Sequence, residues 1–125
     1  MSSGNPYLTL AQWLDKEAAE IRSIESRAQT ALYDDKDDSA YRDLMRSKAL
    51  KLASLAEQGG EVINVAEYPD MGPAMKRLER FSQSAAQSLE IGSVFFMSAL
   101  LYPEDHKIDD PNDLEEFVAE LRASR

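Results

Sequence analysis

Where the prolines fall limits this chain more than any other feature. Pro6, Pro69, Pro73, Pro103 and Pro111 leave residues 7–68, 74–102 and 112–125 without one. Inside a helix, proline removes a backbone hydrogen bond and clashes with the preceding turn, so it marks helix ends and loops. Four of the five glycines fall at ends or loops as well. Between these breakers the apolar residues recur at helical spacing, and the expected fold class is all-α.

Thr9-Leu10-Ala11-Gln12 has the form of a capping box, which predicts a first helix over about 9–33 after a flexible N-terminus, 1–8. Leu10, Trp13, Leu14, Ile21, Ile24 and Ala28 share one stripe along it. Asp34-Asp35-Lys36-Asp37-Asp38 is a short polar connection, with Asp38 or Ser39 as the next cap. A second helix over about 39–58 carries Leu44, Met45, Ala49, Leu52 and Leu55 on one side, and Gly59-Gly60 should stop it. The segment Glu61–Glu67 reads as a short helix or a helical continuation, because an isolated strand would have no partner. Pro73 suits a first helical position, and nothing up to Leu101 forces a stop, so the third helix is expected over 73–101. At 1.5 Å per residue that rod is about 43 Å long. Asp110-Pro111 should begin a last helix over 111–123. The whole is expected to be an antiparallel helical bundle of three long helices plus a shorter C-terminal one, in a single domain.

Composition narrows the chemistry. With no cysteine among 125 residues, disulfides, thiolate metal sites and cysteine nucleophiles are ruled out. The N-terminus reads as having neither the basic nor the apolar region of a signal peptide, and the apolar run Ile91–Tyr102 is too short to span a bilayer, so a cytoplasmic protein without membrane partners is expected. The net charge of −9 argues against nucleic acid. It is uneven: −3 over residues 34–38 and −5 over 102–125, against +2 over 39–58. Acidic loops of this kind can also mimic nucleic-acid phosphate toward a basic partner.

Two charged residues, Glu17 and Lys48, fall inside apolar stripes, with Glu25 at an edge. Either they line a polar cavity suited to acid/base work, or Glu25 and Lys48 simply pair between helices while Glu17 sits at a groove rim or pairs with a residue of the third helix. No metal or cofactor site is expected. The single histidine, His106, has no glutamate three residues before it, and Glu17-Ala18-Ala19-Glu20 finds no matching acidic pair. No catalytic residue can be assembled either.

The third helix loses its polar face after Glu90. Val94, Phe95, Met97 and Leu101 lie off its main stripe and form the candidate interface. The leading functional expectation is an acidic interaction or assembly module, a homodimer or the binder of a protein partner. The alternative is a small ligand- or metal-binding bundle enzyme with its cavity near Glu17 and Lys48.

Overall fold

Asn5, not Thr9, starts the first helix. A computed structural model describes residues 5–124 and places six α-helices among them, with no strand. The helices are α1 (Pro6–Gln29), α2 (Asp38–Ala53), α3 (Leu55–Val62), α4 (Gly72–Ile91), α5 (Val94–Ala99) and α6 (Asp113–Ala123). Asn5 Oδ1 accepts from Tyr7 N at 2.9 Å, and Pro6 takes the first helical position. The first turn therefore forms four residues before the Thr9 box could act, and Thr9 Oγ1 instead donates back to Asn5 O at 3.2 Å. Of the expected flexible stretch 1–8, residues 6–8 are helical, and 1–4 lie outside the described residues.

A π-helical turn, Thr30–Asp34, ends α1, with Asp35 N donating to Thr30 O at 3.0 Å. Lys36 then takes a left-handed conformation (φ 52°) and reverses the chain. The cap of α2 is Asp37, whose Oδ1 accepts from Ala40 N at 3.0 Å, one residue earlier than expected. That leaves Asp38 inside the first turn, bonded to Arg42 at 2.7 Å.

Gly59-Gly60 does not stop the second helix. The axis breaks five residues earlier, at Ser54, and both glycines lie within α3. The break has a tertiary cause. The buried hydroxyl of Ser82, on α4, donates to Leu52 O and accepts from Ala56 N, each at 2.9 Å. A side-chain hydroxyl inserted between a helical N–H and its carbonyl bends the helix while leaving neither group unpaired. Helical structure continues to Val62, Ile63 turns extended and buried, and residues 64–67 form a turn.

The expected third helix over 73–101 is two helices. Gly92 adopts the left-handed conformation (φ 74°), and its N–H donates to Ser88 O at 3.0 Å and Leu89 O at 3.1 Å. Ser93 immediately caps a new helix by accepting from Phe96 N at 3.1 Å. Glycine reaches this conformation without the clash a Cβ brings, and a serine beside it completes a stop-and-restart signal. Register is reset as a result. Met97 turns inward, while Phe96, which continuous periodicity places on the core stripe, is 49% exposed.

The last helix starts at Asp113, not Pro111. Asn112 forms a full capping box with Glu115, both bonds 2.9 Å long. Asp110 has an aspartate three residues on, too short to reach back, whereas Asn112 has a glutamate.

Within the fold, α1 packs on α2 and α6, and α2 packs on α4 and α5. The main core gathers Leu10, Leu14, Leu52, Leu55, Leu78 and Leu114, all 0–1% exposed. Each such side chain contributes about 1.5–3 kcal/mol by leaving water. A smaller cluster of Ala28, Met45, Ala49 and Met97 closes the end near the α1–α2 turn.

Candidate functional site

Two features stand out from the packed core: a buried ionic network and an exposed apolar corner.

The network begins at Lys48 on α2, whose side chain is 1% exposed. Its ammonium sits 3.0 Å from Glu25 Oε2 on α1 and donates to the carbonyl of Ser98 at 3.0 Å. It also lies 5.0 Å from the centre of the Tyr102 ring, a cation–π distance. The Tyr102 hydroxyl donates to Glu25 Oε1 at 2.6 Å and accepts from Arg22 at 3.2 Å. Arg22 forms a two-pronged pair with Glu115, at 2.7 and 3.0 Å. Glu115 is also the box residue that caps α6. One connected set of charges thus fastens α1, α2, the segment after α5 and the start of α6.

The surroundings tune each group. Burial pulls the Lys48 amine below the usual lysine range, against the opposing attraction of Glu25. Burial, reinforced by the hydrogen bond to Glu25, pushes the Tyr102 phenol up to about 12. The Arg22 guanidinium holds the Glu115 carboxyl below the usual carboxylate range. A carboxylate whose folded pKa is depressed adds stability that is present above its unfolded pKa and lost as pH falls through the folded one. Glu115→Gln should therefore be less stable than the parent at about pH 7, and the gap should close by about pH 2. Urea unfolding midpoints at the two pH values check this, and a gap that persists in acid refutes it.

Of the residues singled out from the sequence, Glu25 and Lys48 are brought into contact and Glu17 is not. Glu17 lies eight residues, about 12 Å, from Glu25 along α1. It is buried and pairs with Lys51 at 3.1 Å, in a second cluster completed by Glu20. Glu17 and Lys48 therefore share no cavity. A groove of about 360 Å³ does open beside Lys48, walled by Ala28, Met45, Tyr41 and Gln29. Its ionic floor is occupied with itself, since Lys48, Glu25, Tyr102 and Arg22 all partner one another. His106, in the 103–112 loop, packs edge-on against Tyr102 at the border of the network, with Nε2 3.1 Å from Asp110 O. Among the described residues, no group of three or more histidine or acidic side chains is placed to hold a metal ion. No helix there is long and apolar enough to cross a membrane.

Sequence reasoning missed Arg22, Tyr102 and Glu115. Arg22 lies off the apolar stripe of α1, where a solvated role is the default. The available signal was the Asn112-to-Glu115 spacing, which marks a carboxylate held at a helix start.

The apolar corner lies where α4 meets α5. Phe95 is 73% exposed, Ile91 58% and Phe96 49%, and the two phenyl rings are 5.8 Å apart. Beside them runs a groove of about 330 Å³ lined by Ser84, Gln87, Ser88, Ile91, Phe96 and Leu100. The candidate interface of Val94, Phe95, Met97 and Leu101 is corrected accordingly. Met97 and Leu101 are 1% and 7% exposed and belong to the interior, Val94 is half-buried, and only Phe95 stands in solvent. For Met97 the cause is the reset at Gly92, which swaps the faces that a continuous helix would present; Leu101 lies beyond α5, where its own left-handed backbone (φ 77°) accompanies its packing into the main core.

No family model, curated protein or solved structure matches the chain.

Proposed function

We propose that this protein is a small acidic interaction and assembly module that docks through the α4–α5 corner, as a homodimer or with another protein, in the cytoplasm. The observation that carries the reading is the cluster of Ile91, Phe95 and Phe96 held in water beside an apolar groove. Three large apolar side chains exposed together cost free energy unless something covers them, and exposed aromatic clusters mark interaction surfaces. Acidity disfavours nucleic acid as the partner. In this reading the helices form an antiparallel bundle, a topology supported by the pairing of Glu25 with Lys48 and of Glu17 with Lys51 across α1 and α2.

The alternative of a ligand-binding or metal-dependent enzyme has one observation in its favour, the groove beside Lys48, whose volume suits a small molecule. Against it stands the pairing of Lys48, Glu25, Tyr102 and Arg22 with one another in its floor.

Native mass spectrometry of the protein isolated gently from its source cells tests the module reading. A species carrying a second chain is expected, of the same or a different mass, and Phe95→Asp should lose it. Recovery of the bare single chain, with Phe95→Asp indistinguishable from the parent, would overturn it.

A further inference from the structure

Resting on the module reading, we propose that the α4–α5 corner is one end of a longer groove, and that this groove receives a basic amphipathic helix of another protein, about four turns long.

Helix packing leaves the groove open. α4 packs on α2 and α3, and α6 packs on α1, but α4 and α6 do not pack closely on one another. They meet through side chains: the Phe81 and Phe117 rings are 6.0 Å apart, and the Arg77 guanidinium lies over the Phe117 ring. The hollow beside Ile91, Phe96 and Leu100 adjoins a second one of about 270 Å³, bounded by Arg80, Phe81, Asp113 and Glu116, and Ser84 lines both. One bank is the α4 ridge of Arg80, Ser84, Gln87 and Ile91, at helical spacing. The other bank runs from Phe96 and Leu100 to Asp113 and Glu116, tied together where Asp113 N donates to Leu101 O at 3.0 Å. The ion pair of Arg77 with Glu120, at 3.4 Å, closes the far end. From Arg77 to Ile91, α4 is about 21 Å long, the length of a helix of about four turns.

The lining decides what conformation can lie there. Among the described residues there is no strand, so no free edge offers backbone N–H and C=O groups to an extended segment. Between Phe81 and Pro103 only Glu90 is charged, and Ile91, Phe96 and Leu100 wall that half of the groove. An extended chain laid on such a surface would take its backbone groups out of water and find them no partners, whereas a helix has satisfied them within itself. Ser84, small and exposed at the middle of the ridge, leaves room for a large apolar side chain of the incoming helix.

Charge selects the sign of the occupant. Residues 102–125, which supply the α6 bank, carry −5 of the protein's −9. Asp113 and Glu116 form no ion pair among the described residues, so both carboxylates are open to a cation in the groove. The α4 ridge carries Arg80 and then only Ser84, Gln87 and Ile91. The incoming helix therefore bears lysine or arginine along the flank toward α6 and none along the flank toward α4. A second copy of this chain would bring its own surplus of acid to the α6 bank.

Selection from a displayed library of random peptides, about 16 residues long, against the purified full chain tests this. Enriched peptides should carry apolar residues at i, i+4, i+7 and i+11, with lysine or arginine along one flank only. A synthetic peptide of the enriched sequence should bind in the micromolar range by fluorescence anisotropy. Ser84→Trp, which fills the middle of the groove, should weaken that binding by at least about tenfold, and Glu116→Lys by about fivefold. Asp43→Lys makes the same charge change on α2, outside the groove, and should leave binding within about twofold. All three positions are exposed, and circular dichroism verifies that the variants keep the fold. A selection without binders, enrichment of acidic or uncharged peptides, or binding that survives Ser84→Trp overturns the proposal. Native mass spectrometry separates it from the module reading. A bound chain that Phe95→Asp removes and Ser84→Trp retains, or one of the same mass as the parent that Ser84→Trp removes, overturns this inference and leaves the module reading standing. Absence of any bound chain, together with a failed selection, overturns both.

Discussion

Glu25→Ala should lower the stability of the fold by about 3–5 kcal/mol, the usual cost of breaking a buried ion pair from one side. The substitution leaves the Lys48 ammonium, whose side chain is 1% exposed, with only the Ser98 carbonyl as a hydrogen-bond acceptor. It also removes the acceptor of the Tyr102 hydroxyl. An ammonium at that depth either stays charged at high cost or gives up its proton, and both routes destabilise. Replacing both partners with apolar residues, as in Glu25→Leu with Lys48→Met, should recover most of the loss, because the pair spends much of its attraction on its own desolvation. Urea unfolding reads both effects as shifts in midpoint. A single-variant loss under about 1 kcal/mol would show that water reaches the pair and that the network is no fastening.

The second large effect separates two neighbouring glycines. A Cβ built on Gly59 would stand 2.6 Å from Leu78 Cδ1, with Met75 Cε and Trp13 Cζ3 both at 3.5 Å. Leu78 is 0% exposed and hemmed in by the main core, so its side chain has little room to yield. Gly59→Leu should cost about 1–3 kcal/mol from overpacking, even after the helix gains a better former. A Cβ on Gly60 meets nothing within 4 Å. Gly60→Ala should therefore stabilise by about 0.5–1 kcal/mol, the ordinary gain from replacing a helical glycine. Thermal or urea unfolding that moves the two variants in the same direction would refute this account of why α3 and α4 approach so closely.

These glycines show where sequence reasoning stopped. A Gly-Gly pair after an apolar stripe is a sound stop signal by local rules, since glycine accepts the left-handed conformation that ends helices. Gly59 serves another purpose, making room for Leu78, and that need exists only once α3 lies against α4. The bend itself was assigned to the wrong residue for the same reason. It depends on a serine hydroxyl 28 positions away, Ser82 acting at Ser54, and nothing in the local sequence announces it. Ser82 supplies both hydrogen bonds of the break from the neighbouring helix.

At the candidate site the sequence was legible in part. Glu25 and Lys48 were visible because charges at the edge or middle of an apolar stripe are out of place, and a hairpin turning near Lys36 puts them level. Their company was not visible. Arg22 and Tyr102 join the network because the chain after α5 returns across α1, a path that no periodicity encodes. The apolar corner was found by the loss of polar residues after Glu90, yet its membership was half wrong. Helical periodicity was extended through Gly92, and one left-handed residue was enough to exchange Met97 for Phe96 at the surface.

What the sequence determined by itself is the set of properties carried by composition and short-range spacing. These are an all-helical chain, breaks near the prolines, and an interior lined by the leucines of α1 and α2. They also include the near-absence of charge between Phe81 and Pro103. Backbone hydrogen bonding and side-chain spacing within a few residues are enough to specify them. Tertiary structure alone decided the bend at Ser54, the burial of Gly59, the partners of Lys48 and which aromatic rings reach solvent. Each of those depends on groups far apart in the chain meeting at a few ångströms, where one hydroxyl, one missing Cβ or one left-handed residue decides what is buried and what is left in water.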